Sequence, residues 1–164
     1  MASTWCASRW WVALSPASTK NSVFTPDFYM PHSQTYTVRW AELDPNGHMR
    51  HSAYADFAAD QRVAWLASQG FDIKKFAELQ LGPILFREET KYLKEVHGGE
   101  QIRVEGRVTG GTPDGARWTI EHTIHKADGR LAATVTVDGA WLDLAHRKLT
   151  VPPPELAQAL VSEE

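Results

Sequence analysis

The chain of 164 residues has a single cysteine, Cys6, so no intramolecular disulfide can staple it. No group of Cys and His carries zinc-ligand spacing, and neither a metal nor a disulfide framework is expected; such a chain suits a reducing, cytoplasmic setting. There is no basic excess. Lys and Arg number 17 against 20 Asp and Glu, for a formal net charge of -3, which argues against a surface built to neutralise phosphates along a nucleic acid. A long apolar run is also missing: the stretch from Trp10 to Leu14 stops at Ser15-Pro16, too short to span a membrane and a poor signal-peptide core. Finally, no glycine-rich phosphate loop is found. Gly98-Gly99 and Gly110-Gly111 fall between expected strands, and neither opens a helix.

What remains is an ordinary globular composition, 43% apolar and 23% charged, of a length that forms one domain with its own core. Residues 1–29 stand apart. They are rich in Ser, Ala, Thr and Trp, Asp27 is their only acid, and they hold no period, so they read as a disordered N-terminal extension or an over-long start, with an organelle transit peptide as the alternative. Residues 30–164 are expected to be the folded domain.

Within that domain, residues 34–40 alternate, with Tyr36, Val38 and Trp40 on one side, as a half-buried strand does. Asp44-Pro45-Asn46-Gly47 has turn chemistry, since Pro presets one backbone angle while Asn and Gly tolerate positive ones. A helix is expected over 51–69, with Tyr54, Phe57, Ala58, Trp65 and Leu66 largely on one face and Gly70 as its terminator. Asp72 can cap a shorter helix over 73–79, after which Gly82-Pro83 breaks the pattern. Four strands follow, over 84–92, 101–109, 118–126 and 131–143, joined by turns rich in Gly and Asp. Ile102, Val104, Gly106 and Val108 alternate, as do Trp118, Ile120, His122 and Ile124, so one sheet face is apolar and must be covered. Only the helix after Asp44 is long enough to cover it. The expected fold is therefore α+β, an antiparallel sheet wrapped around one long helix, with a short C-terminal helix over 155–161.

Chemistry points to the loop before that helix. The first amides of a helix have no internal partners and lie at the positive end of its dipole, so a carboxylate there, Asp44, sits beside donors suited to a developing oxyanion. The same residue can equally make an Asx-turn or cap the helix. His51 and His48 can orient a substrate or move a proton near neutrality, or simply bond their own turn. Tyr54 either lines a pocket or packs in the core.

The run Asp44-Pro45-Asn46-Gly47-His48-Met49-Arg50-His51-Ser52-Ala53-Tyr54, placed directly after a strand, resembles the signature of the 4-hydroxybenzoyl-CoA thioesterase-like hotdog proteins. Asp44, the Gly47 three positions on and the Tyr54 ten positions on match that pattern, and the order of elements downstream agrees with it. Arg50 departs, since Asn or an apolar or aromatic residue is more usual there. The resemblance implies a hotdog fold and an acyl-CoA thioesterase with Asp44 as nucleophile or general base. It further implies the His51 backbone N–H, and possibly its ring, at the carbonyl, and substrate contacts from Gly47, His48, Arg50 and Tyr54. It calls for no cofactor beyond the CoA of the substrate, and for a homodimer or homotetramer, which independently suits a sheet with an unpaired edge. CoA phosphates would meet surface cations, among them Arg87, Lys91, Arg103, Arg107, Arg147 and Lys148. The rivals are a hotdog enoyl-thioester hydratase or dehydratase, whose Asn-Pro loop motif is matched poorly by Pro45-Asn46, and a non-catalytic acyl-thioester binding module.

Overall fold

The structure, a computed structural model, describes residues 32–160; the extension expected over residues 1–29 lies outside them. In chain order the elements are β1 (His32–Thr37), α1 (His51–Ser68), α2 (Ile73–Leu79), β2 (Leu81–Tyr92), β3 (Gln101–Gly111), β4 (Arg117–Lys126), β5 (Leu131–Asp143), β6 (Lys148–Thr150) and α3 (Pro154–Leu160), with one 3-10 turn over Trp40–Glu42. The strands form one antiparallel sheet in the order β1-β3-β4-β5-β2, and β6 pairs with the end of β5. This is the α+β hotdog arrangement, with α1 as the filling.

α1 forms because its residues are rich in Ala and hold no interior Gly or Pro, which removes the main penalties to a helix. It buries Ala53, Tyr54, Phe57, Ala58, Gln61 and Leu66, a stripe at helical spacing whose small residues let the sheet approach closely. Its end is set by Gly70, which takes φ +87°. The Phe71 amide then bonds the Leu66 carbonyl at 2.9 Å and the Gly70 amide bonds that of Ala67 at 3.0 Å, the paired bonds of a Schellman stop. Asp72 caps α2 by accepting the Lys75 amide at 2.7 Å.

Across the sheet, the inward row alternates as the sequence requires: Trp118, Ile120, His122 and Ile124 on β4, and Ala133, Val135, Val137 and Trp141 on β5, are all buried. His122 is the one imidazole in that row. Arg62 reaches it from α1, with Nη1 3.1 Å from Nε2.

The structure departs from the expected elements in three places. β1 stops at Thr37 and not at Trp40, because the buried Glu42 carboxylate takes both the backbone N–H and the guanidinium of Arg39 and curls the chain into the 3-10 turn. Trp40 is thereby turned out, 87% exposed, and does not share the inner side with Val38. α2 ends at Leu79 as expected, but β2 begins at Leu81 and not at Ile84, running through Gly82-Pro83 with Pro83 paired to Trp141; an edge strand tolerates a residue without an N–H. The third is β6, a short strand after a tight turn at Arg147, which takes φ 55° and had no periodic signal to reveal it. β2 also carries a bulge between Leu85 and Arg87, with Phe86 as the extra residue, 54% exposed.

Candidate active site

The loop from Leu43 to Arg50 is closed on itself before α1 starts. Leu43 and Met49 form an isolated bridge, the Asp44 amide bonds the His48 carbonyl at 2.8 Å, and the Gly47 amide bonds the Asp44 carbonyl at 3.0 Å. Gly47 occupies φ +78°, the left-handed region that the reversal needs. Asp44 Oδ1 accepts the amides of Asn46 at 2.8 Å and His48 at 3.1 Å. The Asx-turn read from the sequence is therefore present, and it fixes the carboxylate as well as the turn. Partial desolvation pushes the Asp44 carboxyl up, but the amides of His48 and Asn46, the nearby His48 charge and the Asn46 side chain together outweigh it, and the pKa lies below the ordinary carboxylate value. Asp44 is an anion at neutral pH.

The loop hands over directly to α1. Arg50 is the residue before the helix and supplies no side-chain cap; its own amide is taken by the Glu42 carbonyl at 2.8 Å. The amides of His51 and Ser52 have no hydrogen-bond partner among the described residues. They are donors at the positive end of an 18-residue helix, where a developing negative charge is favoured.

Asp44, His48, Met49, His51, Tyr54, Tyr92, Leu93, Lys94 and Glu95 line one open cleft of about 400 Å³. Of the residues singled out in the sequence, Asp44, His48, His51 and Tyr54 thus come together. Tyr54 answers both of its readings, since it is 3% exposed and yet forms a wall of the cleft, its ring edge-on to Tyr92 with centroids 5.1 Å apart. Burial, helped by Tyr92 and the neighbouring carboxylates, raises the Tyr54 hydroxyl above the ordinary phenol range, so it remains a donor. The His51 ring is exposed, and its carbonyl accepts the Tyr92 hydroxyl at 3.2 Å.

Gly47 and Arg50 do not line the cleft. Gly47 serves the turn, while Arg50 bonds Ser52 and the Asp56 carboxylate, the latter at 3.1 Å, and faces a second depression beside β1 with Arg39, Glu42 and Asp60. The surface cations proposed for phosphates are mostly engaged elsewhere: Arg87 with Glu89 and Asp138, Lys91 with Glu89, Arg103 with Glu105, and Arg107 with Glu121.

Sequence reasoning missed the four residues from Tyr92 to Glu95. They reach the cleft because the chain leaving β2 is laced to the loop, by the Met49 amide on the Val96 carbonyl at 2.7 Å and by a bridge between His48 and His97. No local signal marks that pairing. The same lacing gathers His48, Glu95 and His97, whose potential ligand atoms all lie within 4.8 Å of one another, a group that sequence spacing did not offer.

Residues 38–160 match the thioesterase-like superfamily, whereas no curated protein matches significantly. Among solved structures, a hypothetical protein of Staphylococcus aureus in complex with CoA is similar at 24% identity, covering 78% of this chain and 80% of that one with a TM-score of 0.74. A 1,4-dihydroxy-2-naphthoyl-CoA thioesterase from Synechocystis is similar at 17% identity, covering 79% and 95% with a TM-score of 0.72. A DHNA-CoA thioesterase from Staphylococcus aureus is similar at 19% identity, covering 73% and 78% with a TM-score of 0.67. With the matched region running from the end of β1 through α3, the chain belongs to the thioesterase-like superfamily and is a hotdog-fold thioester hydrolase.

Proposed function

We propose that the chain hydrolyses an acyl-CoA in the cleft beside Asp44. The observation that carries this reading is the meeting, in one cleft, of the anionic Asp44 with His51, the first residue of α1, whose amide has no hydrogen-bond partner among the described residues. The His51 amide polarises the thioester carbonyl and receives the charge that develops on its oxygen. Asp44 then acts by one of two routes. As general base it takes a proton from water while the water oxygen bonds the carbonyl carbon; collapse of the intermediate breaks the C–S bond, and the thiolate leaves to be protonated. As nucleophile its carboxylate bonds the carbonyl carbon first, expels the thiolate and leaves an anhydride that water cleaves. Both routes need the charge on Asp44 and the donors opposite it. Tyr54 and Tyr92 supply an aromatic wall on which the Tyr54 hydroxyl is a donor while that of Tyr92 is engaged by the His51 carbonyl, and Lys94 is the cation at the cleft best placed for an anionic ligand. CoA as the leaving thiol is supported by the CoA-bound protein of the same fold, and no separate cofactor is required.

The working unit in this reading is a homodimer or a tetramer built from it. The outer edge of β2 has no strand partner among the described residues, and Leu85, Phe86, Tyr92 and Leu93 along and just beyond it are about half exposed, a pattern that invites edge pairing with a second copy. Among the described residues no helix is long and apolar enough to cross a membrane. The cytoplasm is the proposed setting, since a chain with one cysteine needs no oxidising compartment.

The test is free-thiol release from a panel of short, long and aromatic acyl-CoAs, comparing wild type with Asp44→Asn. The amide oxygen of Asn can still accept from the Asn46 and His48 amides, so the turn is kept while the charge is removed. Loss of at least about a hundredfold in kcat with the fold intact is the expected result. An unchanged rate would place the chemistry elsewhere.

A further inference from the structure

We infer that His48, Glu95 and His97 form a binding site for a divalent transition-metal ion of the zinc class at the rim of the cleft. Two imidazole nitrogens and a carboxylate oxygen stand within 4.8 Å of one another, and His48 Nε2 is 3.4 Å from Glu95 Oε2. In a tetrahedral centre with bonds of about 2.0–2.2 Å, neighbouring ligand atoms are roughly 3.3–3.6 Å apart. One pair already has that separation. The third ligand has about 1 Å left to close, a distance that χ rotation of side chains at the surface covers.

The backbone under the three residues is fixed even though their side chains are accessible. His48 and His97 face each other across an antiparallel bridge, with ring centroids 4.8 Å apart and planes at 72°, so neither ring blocks the other by stacking. Glu95 and His97 flank Val96, which is fully buried, while both of them are exposed. Two cations, Lys94 at the cleft and Lys126, stand near enough to oppose an ion, and Lys126 is the one that touches the Glu95 backbone. It lies 2.8 Å from the Glu95 carbonyl and is neutralised by Glu100 at 2.7 Å. The donor set selects the metal, because two imidazoles with one carboxylate suit zinc and its neighbours, whereas calcium and magnesium call for oxygen ligands. Three protein ligands leave a fourth position for water or an anion. An ion bound there ties the loop after β2 to the turn that holds Asp44, since the His48 amide is one of the two donors on the Asp44 carboxylate.

The experiment is titration of the full chain, without an affinity tag, with Co2+ as a visible-absorbing probe and Zn2+ as competitor. Wild type, His97→Ala and Glu95→Gln are compared. The expected result is one saturable Co2+ site per chain, displaced by Zn2+, with each substitution weakening Co2+ at least about tenfold, and a rise in Tm with Zn2+ that His97→Ala loses. The absence of saturable binding would overturn the proposal, and so would binding that both variants retain at wild-type strength. Should His97→Ala fail to fold, Glu95→Gln decides, because it keeps the shape of an exposed side chain and removes only the charge.

Discussion

Lowering the pH from 7.5 to 5 should cost this fold stability through one residue, His122. The ring is wholly buried between α1 and the sheet. Burial, with the Arg62 guanidinium beside it, pushes its pKa down from 6.5 to about 3. Because Arg62 donates to Nε2, the folded state holds the imidazole neutral, while the unfolded chain binds a proton as pH falls through 6.5. The unfolded state therefore binds more protons between those two values, so the stability His122 contributes is complete above about pH 6.5 and is lost progressively toward pH 3. For those pKa values the loss between pH 7.5 and 5 is about 2 kcal/mol, a shift of roughly 1 M in the urea midpoint for a slope of about 2 kcal/mol/M. Other groups titrate over the same range, so the quantity to read is a difference in slope. Urea denaturation of wild type and His122→Gln is measured at several pH values. Gln can still accept from Arg62 but cannot be protonated there. The variant will start less stable, yet its stability should fall by about 2 kcal/mol less than that of wild type over this interval. Parallel curves would refute the reasoning and show that His122 is protonated in the fold or is no longer buried when the protein is in solution.

The rate of acyl-CoA hydrolysis should show no acid limb between pH 5 and 8 that belongs to Asp44, because its amide donors hold it below the ordinary carboxylate value. A limb in kcat/KM with a midpoint near about 6.5 would instead assign the base to an imidazole. Gly106→Ala should lose about 1–3 kcal/mol in denaturant titration, since a Cβ there would overlap Gln61 Oε1 and Gln61 is held in place by its bond to the His32 carbonyl at 2.6 Å; a neutral result would mean that Gln61 moves freely. Removing the Tyr92 hydroxyl with Tyr92→Phe should alter stability by less than about 1 kcal/mol and leave the start of α1 intact, because that bond to the His51 carbonyl is exposed; a larger loss on thermal melting would show that the bond anchors the helix.

The parts of this molecule that could be read from its sequence are those dictated over short range. Gly70 stops α1 through its own backbone angle, Asp72 caps α2 three residues away, and the alternation through Trp118, Ile120, His122 and Ile124 fixes which face of β4 is covered. Asp44 was legible for the same reason, since its turn is made by residues two and four positions on. What escaped was decided by pairings across long separations or by a single competing contact. Trp40 continued an apolar alternation until the Glu42 carboxylate captured the Arg39 amide, and one buried hydrogen bond outweighs the weak preference of one exposed position for a strand. Tyr92 to Glu95 belong to the cleft only because Val96 pairs with Met49, some 47 positions away in sequence. That one pairing has more than one effect. Val96 is buried there while Glu95 and His97 stand exposed beside His48, so the contact that completes the wall of the cleft is also the contact that assembles the three metal-ligating side chains. The two features should therefore respond together to any substitution at Val96 that loosens the strand from the loop.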